Sequence, residues 1–448
     1  VNEPARPLRL RRRVRRRAHR VLRRAALSAL RPLRRRGAPP PGDRLRVRVL
    51  LQNAHGTGGT IRTVLNLCGH LARDHDVEIV SVLKRSRRPF FALPAEVTVT
   101  YADDGLAPQG RAARVLARLP SLLTPADEAS FRHMSLWTDV CLLRRAIWRA
   151  APPDVLIGTR PSLNLLAAEL APAGVATIGQ DHMHLGAYRP ALRRQIVRAY
   201  RRLTVVTTLT EADRAEYQAA LAGSAVRVVR IPNAAPALPE RPSRREHKVV
   251  VAAGRLVHAK GFDLLLRAFA PIAAEHPDWT LRVFGGGPRR DRLRALIDDL
   301  GLGGRAELRP RTRDLHAEME RASVYALSSR REGMPMVVIE AMGMGLAVVA
   351  FDCPTGPAEM IAHGRDGLLA PAEEVDALTE ALRAVIADPG LRDRLGEAAL
   401  RSARAHHLDR IGPRWSRLIR DLAPAVPSPE QAGGAGRAAG QSVSRPRT

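Results

Sequence analysis

Residues 324–342 read Val-Tyr-Ala-Leu-Ser-Ser-Arg-Arg-Glu-Gly-Met-Pro-Met-Val-Val-Ile-Glu-Ala-Met. Val324–Leu327 has strand character and runs into a polar loop, Ser328–Gly333. An apolar helical stretch then starts near Pro335, where a proline is tolerated because no intrahelical N–H is needed. Strand, glycine-bearing loop and helix in that order form the unit of a parallel α/β sheet. Glu332 falls in the loop, and Glu340 lies more than one turn into the helix, beside Val338, Ile339, Ala341 and Met342. A carboxylate among such neighbours is expected to be buried, and a buried carboxylate needs partners. The amides around the helix start, with the helix dipole, favour an anion.

The same unit recurs on both sides. Upstream, Lys248–Ala253 reads as a strand, followed by the loop Gly254-Arg-Leu-Val-His-Ala-Lys-Gly261 and a helix over Asp263–Glu275. Trp279–Phe284 is a strand ending in Gly285-Gly-Gly-Pro288, and Ala347–Phe351 leads into Asp352-Cys-Pro-Thr-Gly-Pro357. Helices fill 374–422. The first half alternates likewise. A strand over 45–51 precedes the turn His55-Gly-Thr-Gly-Gly-Thr60 and a helix over 61–71; further strands fall near 77–83, 97–101, 154–158, 176–179, 203–209 and 226–231. Thr210-Glu-Ala-Asp213 has the spacing of a helix N-cap. A Pro- and charge-rich stretch, 235–246, separates the halves. The expected layout is a basic segment 1–42, a first domain 43–235, a second domain 247–405, a C-terminal helix 406–424 and a disordered tail 425–448, which is rich in Gly, Ala, Ser and Pro.

Composition narrows the function. The 448 residues exceed one compact core, and 45% of them are apolar. Cys68, Cys141 and Cys353 form no close pair, which argues against a disulfide framework or a zinc site and fits a reducing compartment. No apolar run reaches the ~18 residues of a membrane span, and the N-terminus has no apolar core of a secretory signal. Of the net charge of +29, +16 sits in residues 1–48, where 18 arginines face only Glu3 and Asp43. With 4% aromatics there is no base-stacking platform, so no nucleic-acid partner is expected. Leu10, Val14, Ala18, Val21, Leu22, Ala25 and Ala29 recur at helical spacing among the arginines. That pattern fits an amphipathic helix lying on an anionic membrane; a disordered basic tail ending at the linker Gly37–Gly42 fits as well.

Ligands of open parallel sheets sit beyond the carboxyl ends of the strands. Arg255 with Lys260, Gly285–Pro288, Glu332 with Glu340 and Asp352–Pro357 all fall in such loops, on one crevice edge. Arg255 and Lys260 can hold a diphosphate and stabilise it as a leaving group. By contrast, Asp74-His-Asp76 has metal-binding spacing but precedes a strand, at the wrong end of the sheet; no essential metal is expected. For Asp181 two readings stand, an N-cap and a cleft carboxylate.

Taken together, Gly254-Arg255-Leu256 with Lys260-Gly261, Gly285-Gly-Gly-Pro288, Glu332 and Glu340 with seven residues between them, and Gly356-Pro357-Ala-Glu359 resemble the retaining glycosyltransferase family 4 of the GT-B fold. The Asp352–Pro357 turn resembles members that act on cell-surface polysaccharide or wall polymers. The resemblance covers about 44–423. It implies two Rossmann-like, doubly wound parallel-sheet domains facing a cleft, a C-terminal helix over 408–422 that crosses back to the first domain, and a UDP- or GDP-linked sugar donor as substrate rather than a resident cofactor. It also implies retention at the anomeric carbon. Arg255 and Lys260 would hold the diphosphate, Glu332 the donor hexose and Glu340 the ribose, with Gly286, Gly287, Gly333, Met334 and Pro335 lining the donor site. Gly58 and Gly59 resemble the family's glycine turn, and His182 matches the histidine that reaches the reacting centre; a histidine satisfying loop backbone is the alternative there. The implied enzyme is a hexosyltransferase on the cytoplasmic side, peripheral at the inner membrane face, with a sugar, lipid-linked or polymeric acceptor. Two rivals are a GT-B-type epimerase or phosphorylase, and a non-catalytic basic protein that binds membrane or polymer.

Overall fold

The computed structural model describes residues 6–33, 43–148, 151–235 and 241–422, with side chains from residue 14 onward. The expected linker Gly37–Gly42 and the tail from 425 lie outside the described residues. The strands pair into two sheets, each parallel throughout. The first contains β1 (Arg46–Leu51), β2 (Asp76–Lys84), β3 (Thr98–Asp104), β4 (Val155–Gly158), β5 (Ala176–Gln180), β6 (Val205–Thr208) and β7 (Arg227–Arg230), in the order β3-β2-β1-β4-β5-β6-β7. The second contains β8 (Val249–Ala253), β9 (Thr280–Phe284), β10 (Ala306–Arg309), β11 (Val324–Leu327), β12 (Ala347–Asp352) and β13 (Leu368–Pro371), in the order β10-β9-β8-β11-β12-β13. This is the GT-B architecture of two Rossmann-like domains.

β4 (Val-Leu-Ile-Gly) and β8 (Val-Val-Val-Ala-Ala), at the middle of the two sheets, are apolar runs because helices cover both faces of each sheet. Val47, Val49 and Leu51 of β1 pack under Val64, Leu67 and Leu71 of the helix Gly59–Leu71. On the other face, Leu50, Leu156 and Val206 meet Leu163 and Leu166 of the helix Pro161–Leu170 and Ile196 and Tyr200 of the helix Pro190–Tyr200. The last described helix, Leu408–Leu422, leaves the second sheet and buries Ile411, Trp415, Leu418 and Ile419 in the first domain's core. Its Gly412 lies against the His70 ring, which stands 2.4 Å from where a Cβ would be.

Two strands go beyond the sequence reading. β10 and β13 are four-residue edge strands of the second sheet. β10 carries Glu307 and Arg309, and β13 ends in Pro371, which an edge position accommodates.

The N-terminal segment contains the helix Arg6–Leu30. Its apolar stripe does not enter the core. Val14, Ala18, Val21, Leu22, Ala25 and Ala29 are all exposed. The helix docks instead through its opposite, polar face. His19 Nε2 meets the Ser121 carbonyl at 2.7 Å, Arg23 Nε donates to the Leu123 carbonyl at 2.7 Å, and Leu27 is buried one turn on. Arg16 and Arg20 pair with Asp127 at 3.3 and 3.2 Å, and Arg31 pairs with Glu169. Residues 6–30 thus form a helix docked on the first domain. Among the described residues no helix is long and apolar enough to cross a membrane.

Candidate active site

In an open parallel sheet the crevice forms where the strand order reverses. The first sheet reverses between β1 and β4, the second between β8 and β11. The loops leaving these strands face one another and touch. A Cβ on Gly333 would stand 2.1 Å from the His182 carbonyl oxygen, so only glycine allows the second domain's loop to approach the loop after β5. Gly59 packs against Met336 at 3.6 Å from its would-be Cβ. Asn233 Nδ2 donates to the Met334 carbonyl at 3.2 Å, and Arg311 reaches Thr57 at 3.3 Å.

On the second domain's side, Gly261 adopts φ +60°, and a Cβ there would stand 1.8 Å from the Ser328 carbonyl oxygen. The Gly254–Gly261 loop is thereby held against the loop after β11. Lys260 Nζ and Ser329 Oγ both donate to Glu332 Oε1, the latter at 2.6 Å. Glu332 is buried, and its backbone N–H is anchored on the Pro354 carbonyl at 2.9 Å. Arg255 extends from the same loop into solvent, with no side-chain hydrogen bond or ion pair among the described residues. Gly286 and Gly287 lie against this loop, and Gly286 also borders Arg311.

The helix Met336–Gly343 starts after Pro335 with no side-chain cap. Val338 N–H turns back onto the Pro335 carbonyl at 3.0 Å, and the amides of Met336 and Val337 face the position where a helix start favours an anion. Glu340, one turn in, is buried, and Arg62 of the helix Gly59–Leu71 donates to its Oε1 at 2.8 Å. Burial raises the Glu340 carboxyl above the usual carboxylate range, with Arg62 opposing the shift.

On the first domain's side, Gly58 precedes its helix without a side-chain cap. His182 is partly buried, and its Nε2 is out of contact with water and has no partner. Burial, aided by Arg160, lowers its pKa to about 4, so the ring is neutral at neutral pH. Neither reading of Asp181 holds. It sits beneath the crevice and accepts hydrogen bonds from the hydroxyls of Tyr188, Tyr217 (2.6 Å) and Tyr200 (3.1 Å). Burial pushes its pKa up to about 6 against these donors.

Several groups at the crevice carry no local signal in the sequence: Arg62, Ser329 and the three tyrosines. Glu359 is another. Its carboxylate accepts from the backbone amides of Glu211 (2.7 Å) and Ala212 (3.0 Å), capping a first-domain helix from the second domain. Only the Thr210-to-Asp213 spacing foretold a cap there, and Thr210 does accept from the Asp213 amide at 3.1 Å. Asp74 and Asp76 lie at the amino end of β2, where Arg44 pairs with Asp76 at 2.9 Å.

Two family models match in tandem. Residues 58–234 match the glycosyl transferase 4-like domain, and residues 237–402 match glycosyl transferases group 1. The chain belongs to the GT4-type glycosyltransferases. Within that family it is 36% identical over 394 residues to the exopolysaccharide phosphotransferase SCO2592 of Streptomyces coelicolor, covering 84% of this chain and 41% of that protein. The chain thus spans less than half the length of this relative. An uncharacterised glycosyltransferase of Haemophilus influenzae is 26% identical, covering 82% of this chain and 98% of that protein. Among solved structures, S. aureus TarM in complex with UDP and alpha-GlcNAc-glycerol superposes with a TM-score of 0.66 at 13% identity, covering 84% of this chain and 99% of that one. This last likeness is one of fold. The crevice of this GT4-type chain therefore lies where its architecture puts a ligand, at the two facing switch points.

Proposed function

We propose that the protein transfers a hexose-type sugar from a UDP- or GDP-linked donor to a cell-envelope glycan or lipid-linked acceptor, with retention at the anomeric carbon. The observation that carries this reading is the juxtaposition of Lys260, Glu332, Glu340 and an uncapped helix start at one switch point, with the first domain's His182 loop pressed against it. Arg255 and Lys260 receive the diphosphate, together with the amides before Met336. Glu332 accepts from hexose hydroxyls, and Glu340 from the ribose. Gly58, Gly59, Gly286 and Gly287 let backbone approach the donor. The two cations supply the charge stabilisation that a leaving diphosphate needs, so no metal is required.

In the reaction the C1–O bond to the diphosphate breaks and a C1–O bond to the acceptor hydroxyl forms on the same face. The hydroxyl proton passes to the departing phosphate oxygen. In this reading neutral His182, whose loop meets Gly333, accepts a hydrogen bond from the donor sugar once the crevice is occupied. The polysaccharide context of SCO2592 supports an envelope glycan as acceptor. Incubation of the protein with UDP- and GDP-sugars and glycan acceptors, followed by NMR of the product anomer, tests the reading; inversion of the donor's configuration rejects retention.

The name of that relative also favours one second reading, transfer of a sugar phosphate. The two differ in their by-product. Sugar transfer releases a nucleoside diphosphate, and sugar-phosphate transfer a nucleoside monophosphate.

A further inference from the structure

The N-terminal helix leaves a cavity of about 510 Å³ between itself and the helices Pro161–Leu170 and Pro190–Tyr200. Arg20, Arg23, Arg24, Arg31, Arg194 and Arg198 line it, against the single carboxylate of Glu169. The cavity shares no lining residue with the crevice. Some of this charge is spent locally: Arg20 pairs with Asp127, and Arg31 with Glu169. Arg24, Arg194 and Arg198 have no ion pair among the described residues, and all three are exposed. Arg23 is 5% exposed, and its Nη2 has no hydrogen-bond partner, while Nε and Nη1 are bonded to Leu123 and Gln195. A buried guanidinium N–H without an acceptor is costly, which is a reason to expect an anion beside it. Burial outweighs the nearby carboxylates and lowers the Arg23 pKa to about 10.

Beside the cavity runs the apolar stripe of the same helix. Val14, Val21 and Leu22 are 57%, 65% and 57% exposed. Arg17 and Arg24, seven residues apart on the helix, lie along the edge of that stripe, and Arg31 follows in the turn after it. A solvent-facing apolar stripe edged by arginines matches the two layers of an anionic bilayer surface, acyl boundary and phosphate plane. Arg193 and Arg201 extend the basic patch around Val197 on the neighbouring helix.

We propose that this face docks the protein on an anionic bilayer: Val14, Val21 and Leu22 enter the interface, and the arginine-lined cavity takes a lipid phosphate. The contact stands apart from the transfer chemistry, so its test reads binding and not turnover.

The test is sedimentation of the full-length protein with phosphatidylcholine vesicles, with and without phosphatidic acid, at low salt. The wild type binds the anionic vesicles and not the neutral ones. Arg194→Gln with Arg198→Gln, both exposed, lowers the partition coefficient about thirtyfold. Val21→Ser with Leu22→Ser lowers binding as well, and that loss persists at high salt. Equal binding to neutral vesicles, or unchanged binding by both variants, overturns the proposal. So does a thermal shift by inorganic phosphate that the arginine variant abolishes while vesicles bind nothing, since the cavity would then serve a soluble anion.

Discussion

Arg62 of the first domain donates to the buried carboxylate of Glu340 in the second at 2.8 Å, joining the two halves of the chain across the crevice. The pair is coupled through burial, so removing one partner leaves the other uncompensated. Arg62→Ala is expected to destabilise the protein by up to about 3 kcal/mol. The double variant Arg62→Ala with Glu340→Ala should lose less than the sum of the singles, by about 1–3 kcal/mol. Denaturant unfolding of the four proteins measures the cycle, and additive losses would show that the contact carries no coupling.

Lys260 is held by Glu332 and lies beside the uncapped start of the Met336–Gly343 helix. If it stabilises a leaving diphosphate, Lys260→Ala should lower kcat by about a hundredfold or more. Glu332→Ala should lower kcat/KM comparably. Steady-state kinetics with the active donor check both. A Lys260→Ala enzyme with wild-type kcat would remove the cation from the leaving-group role.

His182 titrates near pH 4, so it stays neutral through the physiological range. On its account kcat/KM is flat from about pH 5.5 upward. His182→Gln, which keeps a hydrogen-bonding group, should lower activity without moving the profile. An acidic limb near pH 6.5 in the wild type that vanishes in the variant would contradict a neutral imidazole.

Asp181 makes a prediction of opposite kind, on stability. Its folded pKa of about 6 lies above the ordinary value of 3.8. The folded state therefore holds a proton that the unfolded state has released between those values. The stabilising contribution is fully present below pH 4 and is lost as pH rises through 6. The unfolding free energy of wild type relative to Asp181→Asn should fall by roughly 3 kcal/mol across that interval. Urea titrations at several pH values measure it, and a pH-independent difference would show that the tyrosine hydroxyls hold the carboxylate fully ionised.

The second domain was legible because its loops each lie within a short strand–loop–helix unit. Glu340 announced its burial through its apolar neighbours, and its partner requirement followed. The partner itself could not be read, since Arg62 lies 278 residues away. The same holds for Asp181, whose three tyrosines share no period, and for Glu359, which caps a helix 148 residues upstream. β10 and β13 escaped notice because an edge strand need not be an apolar run. At the N-terminal helix it was the docking face that could not be read. Periodicity located its apolar stripe correctly, but docking came from guanidinium and imidazole groups on main-chain carbonyls, so the stripe was left facing water.

Calorimetric titration of UDP and GDP into the wild-type protein and Glu340→Ala tests the donor site most directly. Micromolar binding of one nucleotide, weakened at least tenfold in the variant, is the predicted result, as a hydrogen bond to a charged group is worth about 1.5–3 kcal/mol. No binding of either nucleotide by folded wild type, or equal binding by a folded variant, would contradict the account.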